Sequence, residues 1–377
     1  MRILHTSDWH LGRLLHERSL IDDQRHALGQ ILDIARQGSY DALIIAGDVY
    51  DRSIPSVEGM QLLSRFLADL RSFSSVPVLM IPGNHDSAAR LSFCADVMAV
   101  SGIHIQADPA RAHIPLVLEN EDGPVRIFMV PFLDPHAVND EDEDSPRSKK
   151  THETAIETVL RRAGLKKQGP GLSIFVGHLF TTGGASSDSE RAFIGSAGLV
   201  NPGLFAGFDF TALGHLHRPQ QAGERAWYSG SLGKYSFSEA RDRKQVLSVE
   251  VAPGSCAVEP VALTPLRDMA RVKGRMQELL TGSTFNGLEE CYVEAELTDT
   301  GLVTNPLTIL KARYPHVLSV RQALPQAGFS ERKLDFIKTE RTLTDDFISF
   351  KEYLYDKKPG DDELRLFELL CSERERA

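Results

Sequence analysis

Long apolar runs are missing from this 377-residue chain: none approaches the ~18–20 consecutive apolar residues that a bilayer-spanning helix needs, so no membrane partner is expected. The N-terminal apolar stretch stops at Thr6, and Asp8 and His10 follow, which is not the pattern of a secretory signal. Cysteine is scarce. Cys94, Cys256, Cys291 and Cys371 lie far apart with no CxxC pair. A chain of this length buries a core without covalent staples, so reduced thiols and a cytoplasmic address are expected. Positive charge is in deficit, with 42 Lys+Arg against 52 Asp+Glu and a formal net of −10. That excludes a protein that coats nucleic acid through a broad basic surface, but says nothing of a local site. A phosphate loop is also absent: Gly230-Ser231-Leu232-Gly233-Lys234 fails the GxxxxGK[ST] spacing because position 228 is Tyr, so the chain should not hydrolyse ATP.

What is present is an ordinary globular composition, 42% apolar and 25% charged, which removes disorder, collagen and coiled coil as whole-chain descriptions. At ~150 residues per domain the length suggests two or three domains. Short apolar runs at Arg2 to Thr6, Ala42 to Ala46, Val78 to Ile81, Ile127 to Val130, Ser173 to Val176 and Phe210 to Leu213 read as buried strands. Helical patterns at Arg18 to Gln37 and Ser56 to Arg71 lie between the early ones, so an α/β fold is expected. Trp227 to Ser229 and Gln245 to Val251 follow without helices, which makes part of the sheet system antiparallel. The run Asn139 to Asp144 reads as a solvated acidic loop. The expected division is a catalytic domain over 1–262, a small α+β domain over 263–335 and C-terminal helices over 340–377. In the small domain Arg271 to Leu280 and Pro306 to Arg313 read as helices, and Cys291 to Leu297 and Val317 to Arg321 as strands.

The chemistry lies where strands end. Ser7-Asp8-Trp9-His10, Gly47-Asp48, Gly83-Asn84-His85-Asp86, Gly177-His178 and Gly214-His215-Leu216-His217 each begin as an apolar strand stops. Ligands of open α/β sheets bind at the carboxyl ends of strands, so these loops should converge on one rim. Together they offer Asp8, Asp48, Asn84, His10, His178, His215 and His217, enough for two metal ions with Asp48 as the bridge. Two divalent ions clamp a phosphate, acidify a bound water and steady the leaving oxygen. Oxygen and imidazole ligands without thiolate suit Mn, Fe or Zn better than Mg or Ca. The remaining histidines (His5, His16, His26, His104, His113, His136, His152 and His316) have no partnered spacing and read as structural.

The order D-x-H, GD, GNHD, GH, GHxH resembles the calcineurin-like metallophosphoesterase superfamily. More narrowly, MRILHTSDWHLG, AGDVYDRSIPS, PGNHDS, GHLFTTGGASSDSER, ALGHLHRPQ and YSGSLGKYSFSE resemble bacterial nuclease subunits that act with a coiled-coil ATPase in DNA end processing. The resemblance implies a β-sandwich flanked by helices, with a small capping domain and a C-terminal helical pair. It implies Asp8, His10, Asp48 and His217 on one metal, most often Mn²⁺, and Asp48, Asn84, His178 and His215 on the other. His85 would protonate the leaving oxygen or contact the scissile phosphate, with Asp86 orienting it. The implied activity is 3′ to 5′ exonuclease on duplex ends and endonuclease on single strands and hairpins, serving recombination, replication and repair. The alternatives are a phosphoesterase for phosphoproteins or small phosphodiesters, and a DNA-end-binding scaffold.

Weaker features complete the expectations. Arg52 stands where it meets phosphate or a surface carboxylate, since GDVYDRS also resembles the GDxVDRG of protein phosphatases. The loop Thr181 to Arg191, with Ser187 as its candidate contact, reads as a DNA-phosphate loop or a flexible surface turn. Basic residues at Arg161, Arg162, Lys166 and Lys167, and at Arg241, Arg243 and Lys244, suit solvated surfaces as well as DNA. Val57, Met60, Leu63 and Leu67 form a stripe that faces the core or, by the resemblance, a second copy of the chain within a heterotetramer. Phe347, Phe350 and Leu354 on one helix and Phe367 on the next would dock on the ATPase partner or pack on the parent domain.

Overall fold

The computed structural model describes residues 1–120, 123–135, 151–164, 170–190, 198–322, 342–355 and 357–374. The acidic run Asn139 to Asp144, and His136, Lys166, Lys167 and Arg191, lie outside them, as does the side chain of Leu354. Two compact units are present, Met1–Leu297 with Val303–Arg321, and Thr298–Leu302 with Gln322–Ala377.

The first unit is built on two six-stranded sheets. One runs Ser255–Ala262, Gln245–Ala252, Arg2–Thr6, Ala42–Ala46, Val78–Ile81, Ile103–Ile105 in spatial order. Its last four strands are parallel, and Gln245–Ala252 pairs antiparallel with both of its neighbours. The other runs Gln220–Gln221, Ala226–Tyr228, Phe210–Gly214, Leu172–His178, Gly123–Val130, Leu116–Asn120. Strands such as Ala-Leu-Ile-Ile-Ala are apolar throughout because both faces are covered. Ile3, Ile44, Leu79, Ile127, Ile174 and Phe210 fill the space between the sheets. The alternate residues Leu4, Leu43 and Ile45 meet helices Ile21–Gln37 and Val57–Arg71 through Leu28, Ile31, Phe66 and Leu70. Helix His152–Ala163 covers the second sheet, with Ile156 and Val159 against Phe128 and Phe175. The result is a β-sandwich between helical layers.

The first helix begins at Ile21, not Arg18: Leu14–Leu15 and Arg18–Ser19 pair as a small hairpin, turned by His16 and Glu17 at φ 46° and 66°. On Val57–Arg71, Ser56 Oγ accepts the Gly59 N–H at 3.1 Å as N-cap. Its apolar stripe divides, with Leu63 and Leu67 buried while Val57 and Met60 are exposed.

The small α+β part has a three-stranded sheet in the order Met269–Gly274, Tyr292–Leu297, Val317–Gln322, with short helices Met276–Thr281 and Pro306–Leu310. The stretch read as one helix from Arg271 to Leu280 is therefore a strand followed by a helix. Its first half pairs in parallel with Tyr292–Leu297 and buries Val272, and the helix starts only afterwards, where Glu278 Oε2 accepts the Arg275 N–H at 2.9 Å. Met269 and Tyr292 join this part to Leu20, Tyr235 and Phe237 of the sandwich, and Tyr292 Oη donates to Asp23 at 2.7 Å. In the second unit, helices Leu343–Tyr355 and Asp361–Arg374 stack Phe347 on Phe367, ring centroids 4.2 Å apart.

Ile174 is fully buried between the sheets. Ile174→Ala should therefore cost about 2–5 kcal/mol, measured as a lowered midpoint in urea unfolding; a midpoint within error of the parent would contradict this placement of the core.

Candidate metal centre

Every ligand loop leaves the carboxyl end of a strand: Thr6, Ala46, Ile81, His178 and Gly214 are the last strand residues. The first two loops are laced together by backbone bonds, Asp8 N–H to Gly47 O at 3.0 Å, His10 N–H to Asp48 O at 2.9 Å and Leu11 N–H to Val49 O at 2.9 Å. This lacing holds Asp8, His10 and Asp48 at φ 52°, 46° and 48°, and His215 stands at 109°. Such conformations cost of order 1–3 kcal/mol each and persist only where surrounding contacts impose them. Gly83 is needed for room, since a Cβ there would lie 2.1 Å from Asp48 Oδ1.

The side chains converge from both sheets. Asp48 Oδ2 lies 3.5 Å from His10 Nε2 and 3.4 Å from His178 Nε2. Asn84 Oδ1 lies 3.1 Å from His178 Nε2 and 3.0 Å from His215 Nδ1. His10 Nε2 and His217 Nε2 face each other at 3.1 Å. Asp8 accepts the His215 N–H at 3.0 Å and the Ser7 hydroxyl at 2.5 Å. Potential ligand atoms of Asp8, His10 and His217 cluster within 4.8 Å of one another, and so do those of Asp8, Asp48 and His178. All six of the Asp and His residues named as ligands are buried. Two imidazole nitrogens facing each other repel unless a proton or cation lies between them. His215 Nε2 and Asn84 Nδ2 are buried without partners among the described residues. This donor set fits divalent metal.

The electrostatics divide the ligand histidines: burial lowers His10 and His215, whereas nearby carboxylates outweigh burial and raise His178 and His217. Burial pushes His10 and His215 down to about 3, so both are neutral, as ligation requires. Burial opposes protonation of His178, yet the Asp48 carboxylate outweighs it and lifts the group to about 9. Asp48 is held well below the usual carboxylate range: burial works the other way, and the charge on His178 wins.

Behind the ligands stand residues that the sequence reading missed. His178 Nδ1 donates to Ala46 O at 2.9 Å, which leaves Nε2 for the metal. Asp51 Oδ1 lies 3.5 Å from His10 Nδ1 and takes Arg13 at 2.8 Å. His217 Nδ1 meets Ser189 Oγ at 2.8 Å and Glu239 Oε1 at 3.5 Å. Glu239 is wholly buried, accepts Lys244 Nζ at 2.7 Å and Ser189 Oγ at 2.6 Å, and is held well below the usual range: burial works against ionisation, and the charge on Lys244 overcomes it. Lys244 also donates to His217 O at 2.8 Å, and Glu190 accepts the His217 backbone N–H.

The other candidates fall as follows. His85 is half-buried; its N–H donates to Asp48 Oδ1 at 2.9 Å and its Nδ1 to Asp51 O at 2.9 Å, so Nε2 is the nitrogen suited to acid–base work. Asp86 takes the backbone N–H groups of Val49, Tyr50 and Gly83 at 2.8–2.9 Å, so it ties two ligand loops together, while Asp51 O holds the His85 ring. Burial, with the nearby Asp48 charge, raises Asp86 to about 7. Arg52 is exposed, 3.6 Å from Asp51 Oδ2. Ser187 is buried and donates to Glu239 at 3.0 Å, part of the support under His217 and not a surface contact.

Residues 1–219 match the calcineurin-like phosphoesterase family, and residues 265–349 match a type 5 capsule protein repressor C-terminal domain. The chain belongs to the calcineurin-like phosphoesterase family, whose members are metal-dependent hydrolases. Along its length it is similar to SbcD of the SbcCD nuclease from Staphylococcus saprophyticus, 33% identical over 358 residues that cover 93% of each chain. No helix among the described residues is long and apolar enough to cross a membrane.

Glu239→Gln keeps the shape but removes the charge behind His217, and loss of such a support typically weakens metal affinity about 10–100-fold. Titration calorimetry with Mn²⁺ should read that loss; unchanged affinity would remove Glu239 from the site. Gly83→Ala, which pushes on Asp48, should lose Mn²⁺ more severely in the same titration.

Proposed function

We propose that this chain is the catalytic nuclease subunit of an ATP-dependent, SbcCD-like complex, cleaving DNA phosphodiesters with two divalent ions, Mn²⁺ foremost. The carrying observation is Asp48 Oδ2, within 3.5 Å of His10 Nε2 from one sheet and of His178 Nε2 from the other. The likeness to a nuclease subunit along 93% of the chain supports DNA as substrate. Asp8, His10, Asp48 and His217 would hold one ion, and Asp48, Asn84, His178 and His215 the second. When bound, the ions polarise the phosphate and acidify a water. The protein's own part is to keep His10 and His215 neutral, to fix the ring of each ligand histidine, and to offer a proton from His85 Nε2 to the departing oxygen. In this reading the products are those of 3′ to 5′ duplex exonuclease and of single-strand and hairpin endonuclease action in the cytoplasm.

The helices Leu343–Tyr355 and Asp361–Arg374, with Phe350 and Leu370 exposed, would dock on an SbcC-type coiled-coil ATPase. Exposed Val57 and Met60 would contribute to a homodimer of this chain within a heterotetramer. The domains of the proposal are 1–262 for catalysis, 263–335 for capping and 340–377 for the partner.

In a plasmid-nicking and hairpin-opening assay, protein stripped with EDTA should be silent and recover with Mn²⁺. His85→Ala should lower kcat about 10²–10⁴-fold while retaining bound metal, whereas Asp48→Ala should lose both. Inactivity on every DNA beside robust phosphopeptide turnover would sink the nuclease reading. Removing residues from 340 onward should abolish co-purification with the ATPase yet leave Mn²⁺-dependent cleavage of short DNA; loss of both would place those helices in the fold instead.

A further inference from the structure

The strand Gly123–Val130 runs parallel to Leu172–His178 with Val130 opposite Gly177, so its carboxyl end also opens on the ligand rim. Where neighbouring strands deliver Asp, Asn or His, this one delivers Phe132. The Phe132 N–H donates to Pro82 O at 3.0 Å, which ties it to the loop that carries Asn84. Its ring stands 6.4 Å from that of His178, at 74°, and 5.1 Å from that of His152, at 47°. Phe132 is half-buried, yet it belongs to none of the apolar clusters formed among the described residues.

A phenyl ring is a large apolar payload, and a core is its usual place. Phe132 instead keeps part of its surface in water at the rim, against two imidazoles. Those two rings and the backbone bond fix its plane. It therefore has little side-chain freedom left to lose when a second flat body settles on it. The bridging carboxylate is close, because His178 Nε2 lies 3.4 Å from Asp48 Oδ2. Each phosphate of a strand carries a base one sugar removed, and Phe132 is one imidazole removed from that carboxylate. Every base has a π-face and stacks on an aromatic side chain whatever its identity.

We infer that Phe132 is the platform on which a base beside the scissile phosphate stacks, a substrate-contacting residue of the rim. The inference rests on the nuclease reading above and adds to it the part of the nucleotide that the metal ligands do not touch. The competing role is purely internal: the ring would only steady His178.

The test uses the full chain loaded with Mn²⁺ and two single-stranded oligonucleotides of one length, one intact and one with every base replaced by hydrogen. Phe132→Leu keeps apolar bulk beside His178 but has no flat face. In that variant the ratio of kcat/KM, intact strand over abasic, should fall about 5- to 150-fold, the range of one base–aromatic stack. The fall should come through KM for the intact strand, and Phe132→Trp should restore the ratio. An equal loss on both strands would make Phe132 a support of His178 and overturn the inference, as would a parental ratio in the Leu variant. A parent chain that turns over phosphopeptide but cleaves neither strand would bring down the nuclease reading, and this inference with it. A parent that cleaves DNA beside an unaltered Leu variant would remove the platform alone. Should Phe132→Leu fail to fold, Phe132→Met, which also lacks a flat face, takes its place.

Discussion

One carboxylate oxygen organises this molecule. Asp48 Oδ2 sits between imidazoles that belong to different sheets, His10 following Arg2–Thr6 and His178 ending Leu172–His178. A buried carboxylate is tolerable only if paired and hydrogen-bonded, because taking it out of water costs several kcal/mol. Asp48 meets the requirement through the His85 N–H on Oδ1 and the two histidines on Oδ2. Its position thus depends on both sheets being in register at their carboxyl ends. The apolar layer of Ile3, Ile44, Leu79, Ile127 and Ile174 between the sheets supplies that register.

The strain at the rim follows from the same demand. To bring short side chains such as Asp8 and Asp48 to one point, the backbone must turn back at once after the strand, and left-handed φ values at Asp8, His10 and Asp48 accomplish this. Asp86 is what keeps those turns in place. Its carboxylate gathers the N–H groups of Val49, Tyr50 and Gly83, so the loops that carry Asp48 and Asn84 cannot separate without orphaning the Val49 and Tyr50 donors. Its work is positional, and its importance to the site is no smaller for that.

Much of this was readable in advance, for a physical reason. Parallel strands covered on both faces are continuous apolar runs, so Arg2–Thr6, Ala42–Ala46 and Val78–Ile81 stand out with their bounds. A Gly or Ser followed by Asp, Asn or His directly after such a run marks a ligand turn. The support of His217 was not readable. Glu190, Glu239 and Lys244 are ordinary charged residues in polar turns, and only the folded chain brings Glu239 beside a serine fifty positions earlier. Ser187 was misjudged for the same cause, since a Gly/Ser-rich loop gives no sign in sequence of being buried on a carboxylate. The run from Arg271 to Leu280 misled because Val272, Met276, Leu279 and Leu280 repeat at helical spacing although a strand supplies the first of them.

Net charge yields to the same physical treatment. The chain carries −10 overall, which opposes a polyanion at long range, yet long-range terms fade within ~10 Å at 0.1 M salt. What a phosphate meets at the rim is set locally. Asp8 and Asp48 contribute −2 there, and Glu239 is neutralised by Lys244 at 2.7 Å. Two divalent ions in this donor set would bring +4, for a local sum of about +2. The buried, low-dielectric walls strengthen that field where the phosphate sits and nowhere else. An acidic chain is therefore compatible with phosphodiester chemistry, provided affinity for the rest of the polymer comes from elsewhere than its own surface.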